Sequence, residues 1–458
     1  MEAARGSTRF VLPEEDGYRG IWYCNQPSND EFRFKYSGGM ATYPQQHAPI
    51  AIYRKEVHRT FFVYGGTTAR QPGQRAELLH MISYFDHASG AVPRPRVLLN
   101  KRTDDAHDNP TLAMDAAGHL WVFSPSHGTS RPSYIHRSTR PYSIEEFELL
   151  TTTNFSYPQA WFIEGQGFVF LHTRYGGGSQ GISAARSLMW KTSAEGQEWS
   201  RSFLLAGAAL GHYQISWPHG GVLATAFDIH PPPLGLNARA NLYYLQTADQ
   251  GRTWLTADGR HADLPVRATN HPALIYDSMR DKELVYLKDL NFDADGRPVI
   301  LFLTSRGYEP GPRNGPRRWR TIRWTGQEWE VRDFTTSLNN YDHGSLYIED
   351  DGGWRVIAPT EPGPQPYNPG GEMVLWTSAN RGRDWTKVRQ LTKNSPYNHN
   401  YARRPLNARP EFYALWADGH GRQRSACRIY FTDREGTAVW RLPCQMTEKE
   451  AKPELVSP

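Results

Sequence analysis

One pattern recurs seven times along this chain: a turn residue, a short apolar strand, then a polar loop rich in His, Arg, Tyr and Gly. The strands are Thr60–Tyr64, His119–Phe123, Gly167–Leu171, Gly221–Phe227, Arg297–Leu303, Trp354–Ala358 and Glu411–Trp416. Strands that are apolar along their whole length suit positions buried on both faces. Repeats at intervals of roughly 50 to 75 residues are the mark of radially repeated units. Seven such units close most simply into an all-β, seven-bladed β-propeller with four-stranded antiparallel blades, the loops opening on one face around the axis. A β-sandwich is the alternative, but it gives no reason for seven similar units.

A second motif supports the propeller. Thr247–Trp254 fits S/T-x-D-x-G-x-x-W, the Asp box; Ser378–Trp385 fits with Asn380 for Asp; Thr192–Trp199 keeps Gly196 and Trp199 but has Ala194 at the acidic position. The motif is a hairpin lock: the acid or amide bonds turn amides, Gly takes a positive φ, and Trp packs between sheets. It is structural, not catalytic.

Composition narrows the classes of function. With 15 Trp, 24 Tyr, 40 Gly and 33 Pro, the 458 residues suit many short strands and tight turns rather than helical bundles. The net charge of +5 is spread without a basic block, which argues against nucleic acid. It is compatible with an anionic substrate held by local Arg residues. No apolar run is long enough to span a membrane, and Met1–Phe10 lacks the apolar core of a signal peptide. Residues 1–17 read as an N-terminal arm, 18–446 as the propeller and 447–458 as a charged, disordered tail. Of Cys24, Cys427 and Cys444, the last two could pair within a late hairpin.

The most informative residues for chemistry are His107 and His127. They bracket a β-hairpin, Thr111–Met114 and Leu120–Phe123 around the turn Asp115–Gly118, so both imidazoles emerge at the same end of it. Two imidazoles at one rim can pass protons to and from a substrate; they can also merely bond their own loops. Other matches are weak. Gly177–Gly181 satisfies G-x-S-x-G by letter but follows a strand and opens no helix. The pairs Asp293/Asp295 and Asp350/Asp351 lie in sequences typical of ordinary turns.

The segments Gly17–Tyr23, Tyr36–Gly39, Asp104–Pro110, Ser126–Pro132, Leu236–Arg239, Ala358–Glu372 and Tyr397–Pro405 give the chain a family likeness over nearly its whole length. It resembles the BNR/Asp-box seven-bladed propellers that act on uronic-acid glycans. It is close to the members acting on L-rhamnose linked α-1,4 to D-glucuronate, as at the ends of arabinogalactan and gum arabic side chains; the ulvan lyases are more distant relatives. The resemblance implies one of two chemistries. A lyase would use His107 and His127 as acid and base, with Tyr175 assisting and Arg186 and Arg239 holding the substrate carboxylate. An α-L-rhamnosidase would use the single His47 on the opposite propeller face. His172 competes with Tyr175 for its place, and His172 and His230 are further substrate-binding candidates. Each Arg also has a structural reading, as a surface ion pair or a bridge between blades. No cofactor is required, although the resemblance makes a structural Ca2+ in the central channel plausible. The expected partner is an anionic rhamnose- and glucuronate-containing glycan, with no nucleic acid and no membrane. That substrate class implies a secreted or periplasmic location. A non-catalytic glycan-binding propeller is a further reading.

Overall fold

A computed structural model describes residues 8–40, 46–176 and 185–457. It is a seven-bladed β-propeller of antiparallel sheets. From axis to rim, blade 1 comprises Ala51–Arg54, Arg59–Thr67, Leu78–Asp86 and Arg96–Asn100. Blade 2 begins with Thr111–Met114, blade 3 with Ser156–Ile163, blade 4 with Gln214–His219, blade 5 with Leu284–Phe292, blade 6 with Ser345–Ile348 and blade 7 with Asn398–Arg403. All seven apolar repeats form the second strand of a blade, sandwiched between neighbouring sheets, which is why they carry no polar alternation. No helix is long and apolar enough to cross a membrane among the described residues.

The Asp boxes sit between the third and fourth strands. Thr253 N–H donates to Asp249 Oδ1 at 2.9 Å and Gly251 N–H to Thr247 Oγ1 at 2.8 Å. In blade 6, Asp384 N–H donates to Asn380 Oδ1 at 2.9 Å. Gly251 has φ +81°, and a Cβ there would lie 2.3 Å from Trp190 Nε1, so both backbone and space demand glycine. The motif's Trp254 packs edge-on against Trp190 of the preceding blade, ring centroids 5.6 Å apart.

Both chain ends are built into the ring. Thr8–Val11 adds a fifth strand to the rim of blade 2. The chain then crosses the seam: Glu15 N–H donates to Pro95 O, Tyr18 N–H to Pro443 O, and Gly20 N–H to Cys427 O. The expected disordered tail is instead ordered. Glu454–Ser457 pairs with Val439–Arg441 of blade 7, and Glu450–Ala451 with Val92–Pro93. Arg94 donates to the carbonyls of Met446, Thr447 and Glu448. Main-chain pairing holds this charged segment, and composition does not report it. Cys427 and Cys444 are not bonded; all three cysteines are thiols, and Cys427 Sγ accepts the Met40 amide at 3.3 Å.

Candidate active site

His107 and His127 meet as the hairpin requires. Asp105 caps the short 3-10 turn Ala106–Asp108 by accepting the His107 amide at 3.1 Å. Asn109, held extended ahead of Pro110, then feeds the chain into blade 2. Beyond the hairpin, the His127 amide donates to Asp108 Oδ1 at 2.6 Å. Arg131 grips the same buried carboxylate from Nε at 2.9 Å and Nη2 at 3.0 Å, and Lys101 Nζ lies 3.5 Å away. Asp108 thus ties the two loops together with its charge compensated.

The two imidazoles stack, centroids 4.0 Å apart and planes 18° off parallel. Asp105 bridges them: His107 Nδ1 donates to Oδ1 at 2.6 Å and His127 Nδ1 to Oδ2 at 2.7 Å. Burial works against the Asp105 charge, but His107 and His127 outweigh it and hold the carboxyl well below its usual range. Burial lowers the pKa of His107, and Asp105 opposes the shift. Tyr23 Oη lies 3.0 Å from His107 Nδ1. Donor atoms of Asp105, His107 and His127 fall within 4.8 Å of one another. The in-plane lone pairs of stacked rings run side by side rather than converging, and both Nδ1 atoms are committed to Asp105. The trio is therefore a hydrogen-bonded triad and not a metal cage.

The second and third strands of blade 3 bring Tyr175 and Arg186 together as register partners. The Tyr175 ring meets His127 edge-on at 5.6 Å, and its Oη lies 3.2 Å from Tyr157 Oη. Burial raises the Tyr175 phenol pKa, so it stays protonated near neutrality. Tyr157 packs on Tyr213, whose ring lies under Arg186 at 5.7 Å and Arg239 at 4.5 Å. Arg186 Nη2 donates to His230 Nδ1 at 3.0 Å, and among the described residues no carboxylate forms an ion pair with it. Arg239 is buried in a cage completed by Tyr286 and Tyr341. Beside it Lys35 donates to Asn237 Oδ1 and Gln26 Oε1; burial, then the Arg239 charge, bring its pKa down to about 6. A cleft of about 600 Å³ is lined by Trp22, Tyr23, Asp105, His127 and Arg424.

Four expectations change. His172 faces away from the site: it packs on Phe170 and Phe155 and bonds Ser202 Oγ at 3.2 Å. His230 is fully buried and meets Arg186 rather than the cleft. His47 is buried between the triad and the small axial cavity that it lines with Arg403, donating from Nε2 to the His107 carbonyl at 2.9 Å; burial, then Arg403, lower its pKa to about 3. The described residues around the axis do not suit a calcium ion. Lys288, Arg403 and Arg404 line a small axial cavity whose carboxylate, Asp289, already accepts the Leu346 and Leu290 amides and faces Arg404. Asp293 and Asp351 only cap their own turns. Gly177–Gly181 lies outside the described residues.

Asp105, Tyr23, Tyr157, Tyr213 and Lys35 were not singled out from the sequence. Asp105 had a signal, a capping acid two residues before His107. The others come from the N-terminal hairpin or from different blades, and only closure of the ring brings them near.

Residues 82–337 match the model of the BNR repeat-containing family, more than half of the chain. An ulvan lyase of Nonlabens ulvanivorans is 24% identical over 327 residues, covering 63% of this chain and 65% of the relative. An ulvan lyase of Pseudoalteromonas sp. (strain PLSV) is 23% identical over 334 residues, 63% of this chain and 64% of the relative. The chain thus matches somewhat less than two thirds of either relative's length. In structure it is similar to a polysaccharide lyase PL25 ulvan lyase, TM-score 0.69 at 16% identity, over 92% of this chain and 96% of that one. The same coverage and score hold for that enzyme type bound to -[GlcA(1-4)Rha3S]-. Polysaccharide lyase Uly1 aligns with TM-score 0.61 at 10% identity, over 93% and 99% of the two chains. These likenesses bear on the fold, and the family match, lying across blades 1 to 5, shows that the chain belongs to the BNR repeat-containing family of β-propellers.

Proposed function

We propose that this protein is a polysaccharide lyase that breaks a bond to O4 of a glucuronate by β-elimination. Its proposed substrate is the terminal L-rhamnose-α-1,4-D-glucuronate linkage of arabinogalactan or gum arabic-type glycans. The observation that carries the reading is the pair His107/His127, held in one tautomer by Asp105 beside a protonated phenol, Tyr175, and a guanidinium, Arg186, that no carboxylate of the described residues ion-pairs. The ulvan lyase relatives support a lyase, and the relative bound to a glucuronate–rhamnose sulfate chain supports an anionic glycan. The unsulfated rhamnose end rests on the family resemblance of the sequence. A polymer of this kind is met outside the cytoplasm, so we place the enzyme in a secreted or periplasmic location.

The chemistry follows from the substrate. The C5 proton of a glucuronate is barely acidic while its carboxylate is charged. Arg186 neutralises that carboxylate and stabilises the enolate-like charge that grows on it. With Nδ1 protonated, the nitrogen of His127 left for substrate is Nε2, whose lone pair takes the C5 proton. The C5–H electrons become the C4=C5 bond and the C4–O4 bond breaks. The leaving oxygen takes a proton from the second imidazole, with Tyr175 assisting. The products are rhamnose and an unsaturated uronate. Elimination is preferred over hydrolysis through His47 because His47 Nε2 is engaged with the His107 carbonyl.

The test is incubation of the protein with gum arabic or a rhamnose–glucuronate disaccharide. Rhamnose released together with the ultraviolet absorbance of an unsaturated uronate is the expected result. Rhamnose with saturated glucuronate would make the protein a hydrolase, and binding without either product would make it a glycan-binding propeller.

A further inference from the structure

We propose that Asp105 makes His107 and His127 a one-proton unit: it holds both imidazoles in the Nδ1–H form and lets only one of them be cationic at a time. The role of the pair rests on the lyase reading; its protonation behaviour does not.

The geometry gives the reason. A single carboxylate uses one oxygen for each ring, at 2.6 and 2.7 Å. An ionised carboxylate only accepts, so each Nδ1 must carry hydrogen, and in each neutral ring Nε2 carries none. The trio carries one negative charge when both rings are neutral and none when one is protonated. Protonating both would stack two cations 4.0 Å apart on one counter-ion. The surroundings add to that penalty. Arg131 Nη2 already lies 3.3 Å from Asp105 Oδ2, and Asp108 is occupied by Arg131 and Lys101. Among the described residues, Tyr23, Tyr157 and Tyr175 around the rings and His47 behind the His107 carbonyl supply no further negative charge near neutral pH. Two strongly coupled sites of this kind titrate as a pair in two separated steps.

The same arrangement matches the proposed elimination. The singly protonated unit contains one base and one acid. The neutral ring gains the C5 proton as the cationic ring gives its proton to O4. The C5–H and C4–O4 bonds break, C4=C5 and O4–H form, and the unit holds one extra proton before and after, with the roles of the rings exchanged. Exchange with water restores the starting distribution. Asp105 touches no reacting atom; it is a positioning residue.

The experiment is a pH titration of the full-length protein by 15N-histidine NMR, paired with the pH profile of kcat and KM for wild type and Asp105→Asn. In wild type the neutral forms of both rings carry the proton on Nδ1, and the pair takes up its protons in two separate steps. An asparagine can accept from one Nδ1 but must donate to the other, which drives one ring into the Nε2–H form. In that variant kcat falls about 10²- to 10⁴-fold with little change in KM, and the acid limb of the profile moves. Two independent, overlapping titrations in wild type would overturn the proposal, as would neutral rings carrying hydrogen on Nε2. An Asp105→Asn variant with an unchanged pH profile would do the same. Should the variant not fold, the wild-type titration decides. Absence of elimination by wild type would remove the lyase reading and leave the NMR result to judge the pair.

Discussion

Arg186 offers the sharpest test of how the carboxylate is neutralised. Its guanidinium is mostly buried, anchored by one hydrogen bond to His230 and by the Tyr213 ring; Asp228 feels its charge from a distance, but no carboxylate of the described residues forms an ion pair with it. Two of its N–H groups can therefore meet a substrate carboxylate, each as a charge-assisted hydrogen bond worth about 1.5–3 kcal/mol. Part of that is realised only as the enolate charge develops; removing one donor of this type typically lowers kcat about 10²- to 10³-fold. Arg186→Gln keeps a neutral donor and loses the charge, so kcat/KM should fall about 10²- to 10³-fold, shared between lower kcat and higher KM. Arg186→Lys restores charge but neither the planar fork nor its reach to His230, and should recover only part of the loss. The loss of the Tyr213 contact costs about 0.5–2 kcal/mol of stability, so the variant should fold. Initial rates of unsaturated-uronate absorbance measure the effect. If Arg186→Gln keeps kcat/KM within roughly threefold of wild type, the carboxylate is held elsewhere and the reasoning fails.

Other expectations can be checked alongside. His127→Ala should abolish elimination while leaving thermal unfolding nearly unchanged; retained turnover would remove this residue from the mechanism. His47→Ala should mainly lower the unfolding temperature, because it deletes a buried bond to the His107 carbonyl; rhamnose release lost from a protein as stable as wild type would contradict that. His47, His172, His212 and His399 have pKa values lowered by burial to about 3. Unfolding lets them protonate nearer 6.5, so their stabilising effect is full above that pH and is lost as pH falls towards 3, each by up to about 1.4 kcal/mol per pH unit. A melting temperature flat from pH 7 to pH 4 would refute this. Asp249→Ala removes three bonds that lock the blade 4 hairpin and should cost about 1–2 kcal/mol in denaturant unfolding without altering kcat. Chelation should not change the melting temperature, given the cationic lining of the axial cavity; a calcium-dependent rise would contradict the fit argued from Lys288, Arg403 and Arg404.

The seven blades were legible because each has one strand buried on both faces, and such strands read as unbroken apolar runs. The meeting of His107 with His127 was legible for a similar reason: a hairpin returns to its starting end whatever surrounds it. Tyr175 and Arg186 were named separately, and their pairing on adjacent strands comes from the structure. Strand parity also separates Tyr175 from His172, since residues three apart in a strand point to opposite faces; that signal was present in the sequence. What could not be read was proximity created by the ring. Tyr157 and Tyr213 start different blades, and Lys35 lies on a hairpin outside all of them. Their convergence depends on how seven sheets are angled around an axis. The tail was misjudged because its order comes from a free sheet edge and from Arg94, not from its own composition.

The N-terminal crossing of the seam has a consequence for assembly. Three residues beyond the Gly20–Cys427 bond lies Tyr23, the phenol that touches His107. Its neighbours in the chain are anchored to blade 7 and to the segment that follows it. A chain ending after blade 6 would contain His107, His127, Tyr175 and Arg186 intact and would keep the Ile21–Gly65 bond to blade 1, yet would lose the Tyr18–Pro443 and Gly20–Cys427 anchors of the segment that carries Tyr23. One wall of the site is thus shared between the segment ahead of blade 1 and blade 7. Completing the circle and completing the site are one event.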